Sequence, residues 1–338
     1  MHAARCGAWL AMGRRAWAAE PSDVRPDDWD QGEVRIVLPL LAAGAASRRP
    51  WAQFLEGLAA GIGRPVRALP AISPASLARS LAPGRFDLAL LCGGLALDAV
   101  TGGHMRVFAR PSRPEGERTD RALLLARRAP PRNALDDMLE RPQHWRMAHG
   151  DPRSAAGFVM PQARLLLPRG VDMETAFRDR IVGTPIETSL AVVYGDADVA
   201  TSSVADFERL RRQFPQEAAR LQVIWESEPL PPPLFVIRRD SPAQLQRQAR
   251  AFFLRYGRSA SRRAQAERAV LRSIDAPGGY EQACNRDLLP AAQLARDLAW
   301  QRAMAGRWVD EPSRALRLAR IDADHARLQA LLQDEGTL

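Results

Sequence analysis

The feature that most constrains this chain is a unit that occurs twice in one register, 111 residues apart. Ser73-Pro74 has the form of a helix cap with proline at the first helical position. Gly84 has the form of a turn, and Asp87-Leu88-Ala89-Leu90-Leu91 that of a buried strand. Thr184-Pro185, Gly195 and Asp198-Val199-Ala200 repeat all three at the same offset. Three coincidences in one register imply two lobes of similar build. Thr184 has Glu187 three residues on, the spacing of a capping box that satisfies two orphan amides reciprocally. Asp87 and Asp198 read as structural residues where a turn enters a strand.

Around each copy the chain alternates strands and helices. Glu33 to Leu38 is a strand, and Trp51, Phe54, Leu55, Leu58 and Ile62 form one helical stripe closed by Gly63. Val66 to Leu69 is a second strand. Strand, helix, strand implies a parallel sheet under covering helices. Ala122 to Ala126 is a crossover strand; Pro130-Pro131 precedes a helix over 133–139, and Trp145 to Ala148 opens the second lobe. Leu221 to Trp225 is a strand, the proline-rich run 226–233 excludes helix, and Leu234 to Ile237 returns to the first lobe. Two strands passing between lobes describe a hinge over a cleft. The expected division is 1–29 as leader and loop, 30–118 with 228–338 as lobe one, and 119–227 as lobe two. Helices over 244–256 and 262–273, one after Pro290 and one from Pro312 close the chain. They pack on lobe one, or the last docks on a partner.

The stretch from Gly150 to Pro161, Gly-Asp-Pro-Arg-Ser-Ala-Ala-Gly-Phe-Val-Met-Pro, reads as a strand end, a tight turn and a helix start. There the amides of Ala155, Ala156 and Gly157 favour an anion, and Arg153 either adds charge or is solvated. Ser154 is either a ligand contact or a helix cap. Gly93 and Gly94 end a strand on the cleft side, allowing close approach of a ligand or making a tight turn. Ser73 and Thr184, at the helix starts of the repeated unit, complete the candidate ligand-binding set, although the capping box by itself accounts for Thr184.

Composition removes several function classes. The net charge is +9, but the basic residues are all Arg and are spread through every segment, unlike a nucleic-acid stripe. No run approaches the roughly 18 apolar residues of a membrane helix. Arg5, an apolar patch from Cys6 to Gly13 and the small-x-small site Ala16-Trp17-Ala18 form a weak export signal with cleavage after Ala18; Arg14 and Arg15 fit it poorly. Cys92 and Cys284 either pair or stand as separate thiols. The five histidines have no metal-ligand spacing, so no metal and no cofactor is expected. There is no Ser-His-Asp, Cys-His or paired-carboxylate arrangement and no P-loop, so no catalytic residue is assigned.

Three motifs in order carry a family resemblance. They are Asp151-Pro152-x-Ser154-x-x-Gly157-x-x-x-Pro161, then Val182-Gly183-Thr184 before a helix ending Val192-Val193-x-Gly195-x-x-Asp198, then Val223-Ile224-Trp225-Glu226-Ser227-x-Pro229-x-Pro231. Together they resemble the periplasmic phosphonate/phosphite-type solute-binding proteins of ABC importers, from about Glu33 to Asp240. The resemblance implies a type II periplasmic-binding fold, two α/β lobes closing on a small anion without catalysis, a periplasmic location, an ABC permease as partner and a monomer. A periplasmic sensory module signalling to a membrane receptor or kinase is the alternative. In that family the turn reads Ser-Thr-Ser-Gly and its hydroxyls bind the phosphonate; Ser154-Ala155-Ala156-Gly157 keeps one hydroxyl of three. The family's Gly-Ser-His is Gly183-Thr184-Pro185 here, and a tyrosine near Ser73 has no counterpart. At about 1.5–3 kcal/mol per hydrogen bond to a charged group, three lost donors remove about 4–9 kcal/mol of phosphonate affinity. The expected ligand is therefore a small organic anion.

Overall fold

A computed structural model describes residues 32–38, 45–70, 85–112, 119–128 and 133–333 of the chain. The leader, Ser73-Pro74, Gly84 and Pro130-Pro131 lie outside the described residues.

The strands form two sheets. The first contains β1 (Val34–Leu38), β2 (Val66–Pro70), β3 (Leu88–Leu91), β4 (Met105–Pro111), β10 (Leu234–Arg238) and β11 (Tyr280–Gln282), in the order β2-β1-β3-β10-β4-β11. The second contains β5 (Arg121–Arg127), β6 (Arg146–His149), β7 (Asp179–Val182), β8 (Val199–Ser203) and β9 (Leu221–Pro229), in the order β7-β6-β8-β5-β9. The triplets β2-β1-β3 and β7-β6-β8 are parallel, whereas β10 and β5 run antiparallel to both their neighbours. Each sheet thus takes in, between its third strand and its next, the strand that arrives from the other sheet. The proline-rich run leads β9 to β10, as its exclusion of helix requires.

Of the three repeated positions, the Asp87/Asp198 pair lies within the described residues in both copies, and there the repeat extends to a further position. Arg35 and Arg146 share the offset of Asp87 and Asp198, and each pair spans 52 residues. The Arg35 amide donates to Asp87 Oδ2 (2.7 Å) while the Asp87 amide donates to the Arg35 carbonyl (2.9 Å). In the second lobe the Arg146 amide donates to Asp198 Oδ2 (2.8 Å) and the Asp198 amide to the Arg146 carbonyl (2.9 Å). The aspartates are structural clamps joining the first strand of each lobe to the third.

Helices cover both sheets. In the first lobe α1 (Ala45–Ile62) ends at Gly63, whose φ of 66° is the left-handed C-terminal stop expected of glycine. On the same face α7 (Ala243–Arg255) and α8 (Arg262–Ser273) close an aromatic core of Trp51, Phe54, Phe253 and Tyr280. On the other face α2 (Gly93–Thr101) was not legible in the sequence, because Gly93-Gly94 is a poor helix start. In the second lobe α3 (Ala134–Glu140) covers one face, and α4 (Pro185–Tyr194), α5 (Val204–Gln213) and the short α6 (Pro215–Ala218) the other. The chain closes with α9 (Leu289–Ala305) and α10 (Glu311–Gln333).

The helix α9 departs from the expectation that the C-terminal helices serve lobe one. Its Ala292 packs in the core beside α2, but Leu294 and Leu298 pack on Ala156, Val159, Met160 and Ala163 of the second lobe. It therefore straps the two lobes together.

Candidate functional site

The turn after β6 is fixed by its own backbone. The Arg153 amide donates to Asp151 Oδ1 (2.9 Å) and the Ser154 amide to the Asp151 carbonyl (2.8 Å), closing an Asx turn. Ser154 Oγ accepts from the Gly157 amide (2.9 Å), so this side chain is an N-cap. Of the three amides offered to an anion in the sequence reading, that of Gly157 is therefore spent on the cap. Ala155 and Ala156, in the first turn, have no acceptor within the helix.

The helix that follows, 155–169, is irregular, with π turns at Ala155–Val159 and Gln162–Leu166 on either side of Pro161. Proline has no N–H for the carbonyl four residues back, that of Gly157. That carbonyl instead accepts from the Gly150 amide (3.0 Å) and from the Thr201 hydroxyl (2.8 Å) of β8. Gly150 and Gly157 touch so closely that a Cβ on Gly157 would lie 2.8 Å from Gly150 Cα. Both glycines serve this backbone crossing rather than the approach of a ligand.

Four of the nominated residues meet at one interlobe cavity of about 270 Å³. Gly93 and Gly94 reach it from the start of α2, Arg153 and Ala155 from the turn. Residues that the sequence reading did not nominate complete it: Leu97 and Asp98 of α2, Val159, Pro231 of the crossing segment, and the face of α9 made by Ala291, Leu294, Ala295, Leu298, Ala299 and Arg302. Those α9 positions recur at helical spacing, so the stripe was present in the sequence, but nothing local said which surface it would cover. A Cβ on Gly93 would meet Ala291 Cβ at 2.8 Å and Pro231 Cβ at 3.2 Å, so the close approach there is by α9. A Cβ on Gly94 would meet nothing within 4 Å, and that backbone is open to the cavity.

The other nominated residues stand apart. Ala156 is covered by the apolar cluster containing Leu294 and Leu298. Thr184 is exposed at the head of α4 in a complete capping box: its Oγ1 accepts from the Glu187 amide (3.3 Å), and Glu187 Oε2 accepts from the Thr184 amide (2.8 Å). Ser73 lies outside the described residues.

Among the described residues that line the cavity, the charged groups are Asp98, Arg153 and Arg302. Burial pushes the Asp98 carboxyl above the usual range, with Arg153 pulling against the shift. Arg302 is tied to Glu174 (3.1 Å) and lies over the Phe158 ring at 5.8 Å. Below it Arg164 bridges Glu228 (2.5 Å) and Asp297 (2.6 Å), joining the second lobe to α9. Burial opposes the charge of Asp297, but hydrogen bonds from Arg164 and Arg296 outweigh it and hold the carboxyl below its ordinary range. Burial raises the Cys92 thiol, keeping it protonated, and no disulfide joins it to Cys284. His149, at the end of β6, is buried with Nδ1 2.8 Å from the Gly150 carbonyl, and burial keeps its imidazole neutral.

Residues 43–288 match the profile of a family described as ABC transporter, phosphonate, periplasmic substrate-binding protein. The phosphonates-binding periplasmic protein of Escherichia coli K12 is 26% identical over 275 residues, which are 81% of this chain and 79% of that one. Among solved structures, a binding protein component of an ABC phosphonate transporter from Pseudomonas aeruginosa superposes with a TM-score of 0.80 at 24% identity, covering 91% of this chain and all of the other. PhnD1 from Prochlorococcus marinus in complex with methylphosphonate superposes with a TM-score of 0.64 at 14% identity, covering 79% and 98%. At these identities the two structures speak for the two-lobed fold.

Proposed function

The chain belongs to the phosphonate-type periplasmic substrate-binding family of ABC transporters, and from that premise we propose that it captures a small anion in the cavity between its lobes and delivers it to an ABC permease without chemical change. The observation that carries this reading is the convergence of Gly93 and Gly94 from one lobe with Arg153 and Ala155 from the other on a single cavity. The first-turn amides of Ala155 and Gly94, together with the Arg153 guanidinium, supply donors and positive potential where an anion would sit.

The lobes in this reading are 30–118 with 228–338, and 119–227, a division supported by the membership of the two sheets as far as Gln282, beyond which α9 lies against both lobes. The protein acts as a single chain, since both lobes and the helix that walls the cavity come from one polypeptide. Export through residues 1–18, with cleavage after Ala18, rests on the leader pattern in the sequence. The test is calorimetry of the purified protein against methylphosphonate, phosphite, phosphate and short carboxylates, with Arg153→Ala as control. Saturable binding of at least one anion, weakened about tenfold or more in the variant, is the expected result. Heat indistinguishable from dilution across the whole set would refute the reading.

A further inference from the structure

A second cavity, of about 470 Å³, lies away from the interlobe one, on the helices α1, α7 and α8 that cover one face of the first sheet. Its floor is aromatic and its rim carries arginines. Gly57 and Gly61 of α1 let two rings lie directly on that helix: a Cβ on Gly57 would meet Tyr256 Cε2 at 3.1 Å, and one on Gly61 would meet Phe252 Cδ2 at 2.9 Å. Arg247 and Arg255 of α7 and Arg263 of α8 stand around these rings. Arg263 is paired with Glu267 (2.9 Å), which also accepts from the Gly257 amide (2.8 Å). Arg255 donates within its own helix, to the Ala251 carbonyl (3.1 Å), and neither it nor Arg247 meets a carboxylate among the described residues.

We propose that this groove is the seat of the chain's own segment Asp27-Asp28-Trp29-Asp30, with the indole on the aromatic floor and the carboxylates on the arginines. The proposal stands independently of the solute-binding reading.

The first argument is place. The described chain begins at Gly32, and it enters β1 beside the turn that ends α1: the Val34 amide donates to the Pro65 carbonyl (2.8 Å), and Arg67 Nε to Glu33 Oε2 (2.8 Å). Pro65 is four residues beyond Gly61. Because α7 lies antiparallel to α1, with Phe252 on Gly61 and Tyr256 on Gly57, Arg247 marks the end of the groove nearest this entry. Gly32 has a φ of 68°, a left-handed bend that turns the chain sharply where it leaves the strand.

The second argument is length. Eight helical residues separate Arg247 from Arg255, about 12 Å along α7. Four extended residues span about 13 Å, so 27–30 matches the groove with Gln31 as the link to Gly32. The third is chemistry. Three carboxylates flank one indole, and guanidinium forks beside exposed ring edges suit that pattern: each fork binds a carboxylate, and the indole gains by leaving water.

The experiment is disulfide trapping in the full-length protein. Trp29→Cys is combined with Ala251→Cys on the groove floor or, as control, with Ala319→Cys, an exposed position on α10, whose end packs at the other face of the first sheet. Under mild oxidation the 29–251 bond should form about tenfold or more faster than the 29–319 bond, because docking raises the local concentration of one thiol at the other. The advantage should shrink in 1 M salt and with Arg247→Glu plus Arg255→Glu, exposed changes that leave the core intact. Since Trp29→Cys removes the proposed anchor, hydrogen exchange on the chain with Trp29 in place supplies the second readout. Amides of α7 around Ala251 should lose protection when Asp27, Asp28 and Asp30 are changed together to Asn. Equal trapping rates together with unchanged exchange overturn the proposal. So does wild-type protein that binds phosphatidylglycerol vesicles and loses that binding with Ala251→Glu, because the groove would then be open to an anionic surface.

Discussion

At the scale of single residues, neighbouring glycines have opposite tasks. Gly93 is held between Ala291 and Pro231 with no room for a methyl group, whereas Gly94 opens on the cavity. Gly93→Ala should cost about 1–3 kcal/mol by forcing α9 away. Gly94→Ala should leave stability unchanged or gain up to about 1 kcal/mol from helix propensity, and still impair ligand binding by narrowing the cavity. Paired thermal denaturation and calorimetry on the two variants check both. Asp98 gives a pH signature. Asp98 is exposed at the mouth of the cavity, and its folded-state pKa lies above that of the unfolded chain because partial desolvation by the surrounding walls penalises the carboxylate more than Arg153 favours it. The penalty is absent in acid, grows as pH rises from about 4 and is complete at neutral pH. Asp98→Asn should therefore raise the melting temperature at pH 7 and have a smaller effect at pH 3. Equal shifts at the two pH values would contradict the assignment.

At the scale of elements, the turn helix 155–169 owes its shape to a single missing proton donor. Pro161 frees the Gly157 carbonyl, and Thr201 of β8 captures it with a hydroxyl that also accepts from the Gly150 amide (3.2 Å). Thr201→Val keeps the shape of the side chain and removes both bonds. With Thr201 buried, the loss should be about 1–3 kcal/mol. The readout is the urea midpoint together with hydrogen exchange at Gly150 and Gly157, whose protection should fall first. The proline, the serine cap and the glycines were all legible in the sequence. The π turns were not, because they depend on which distant group takes up the freed carbonyl.

At the scale of the whole molecule, the two lobes use the same clamp at different depths. Asp87 is almost fully buried, between Arg35 and Arg238. Asp198 is about one-third exposed, and hydrogen bonds from Arg146 outweigh its burial and lower its pKa. Asp87→Ala should cost about 3–5 kcal/mol, the range for breaking a shielded ion pair, and Asp198→Ala about 1–2 kcal/mol. The stabilisation from Asp198 is full above its ordinary pKa and is lost as pH falls through its lowered folded-state pKa, so the cost of the second variant should shrink steadily in acid. Equal costs at neutral pH would show that depth does not separate the clamps. The strap α9 adds interlobe contacts of its own through Arg164–Asp297 and Arg302–Glu174.

The sequence by itself determined the two-lobed α/β build, the order of most elements and the family. These follow from periodicity, turn residues and a register, all of which are local or additive along the chain. The strand β4, the antiparallel insertion of β5 and β10, and the start of α2 at two glycines came only with the tertiary structure, because sheet partners are chosen between segments far apart. The same holds for the site. Gly93, Gly94, Arg153 and Ala155 could be nominated from their neighbours in sequence, but Asp98 and the α9 stripe could not. A helix that starts nearly 200 residues from the first of those glycines becomes the wall of their cavity because it packs against both lobes at once. Its position decides the shape and polarity of that cavity.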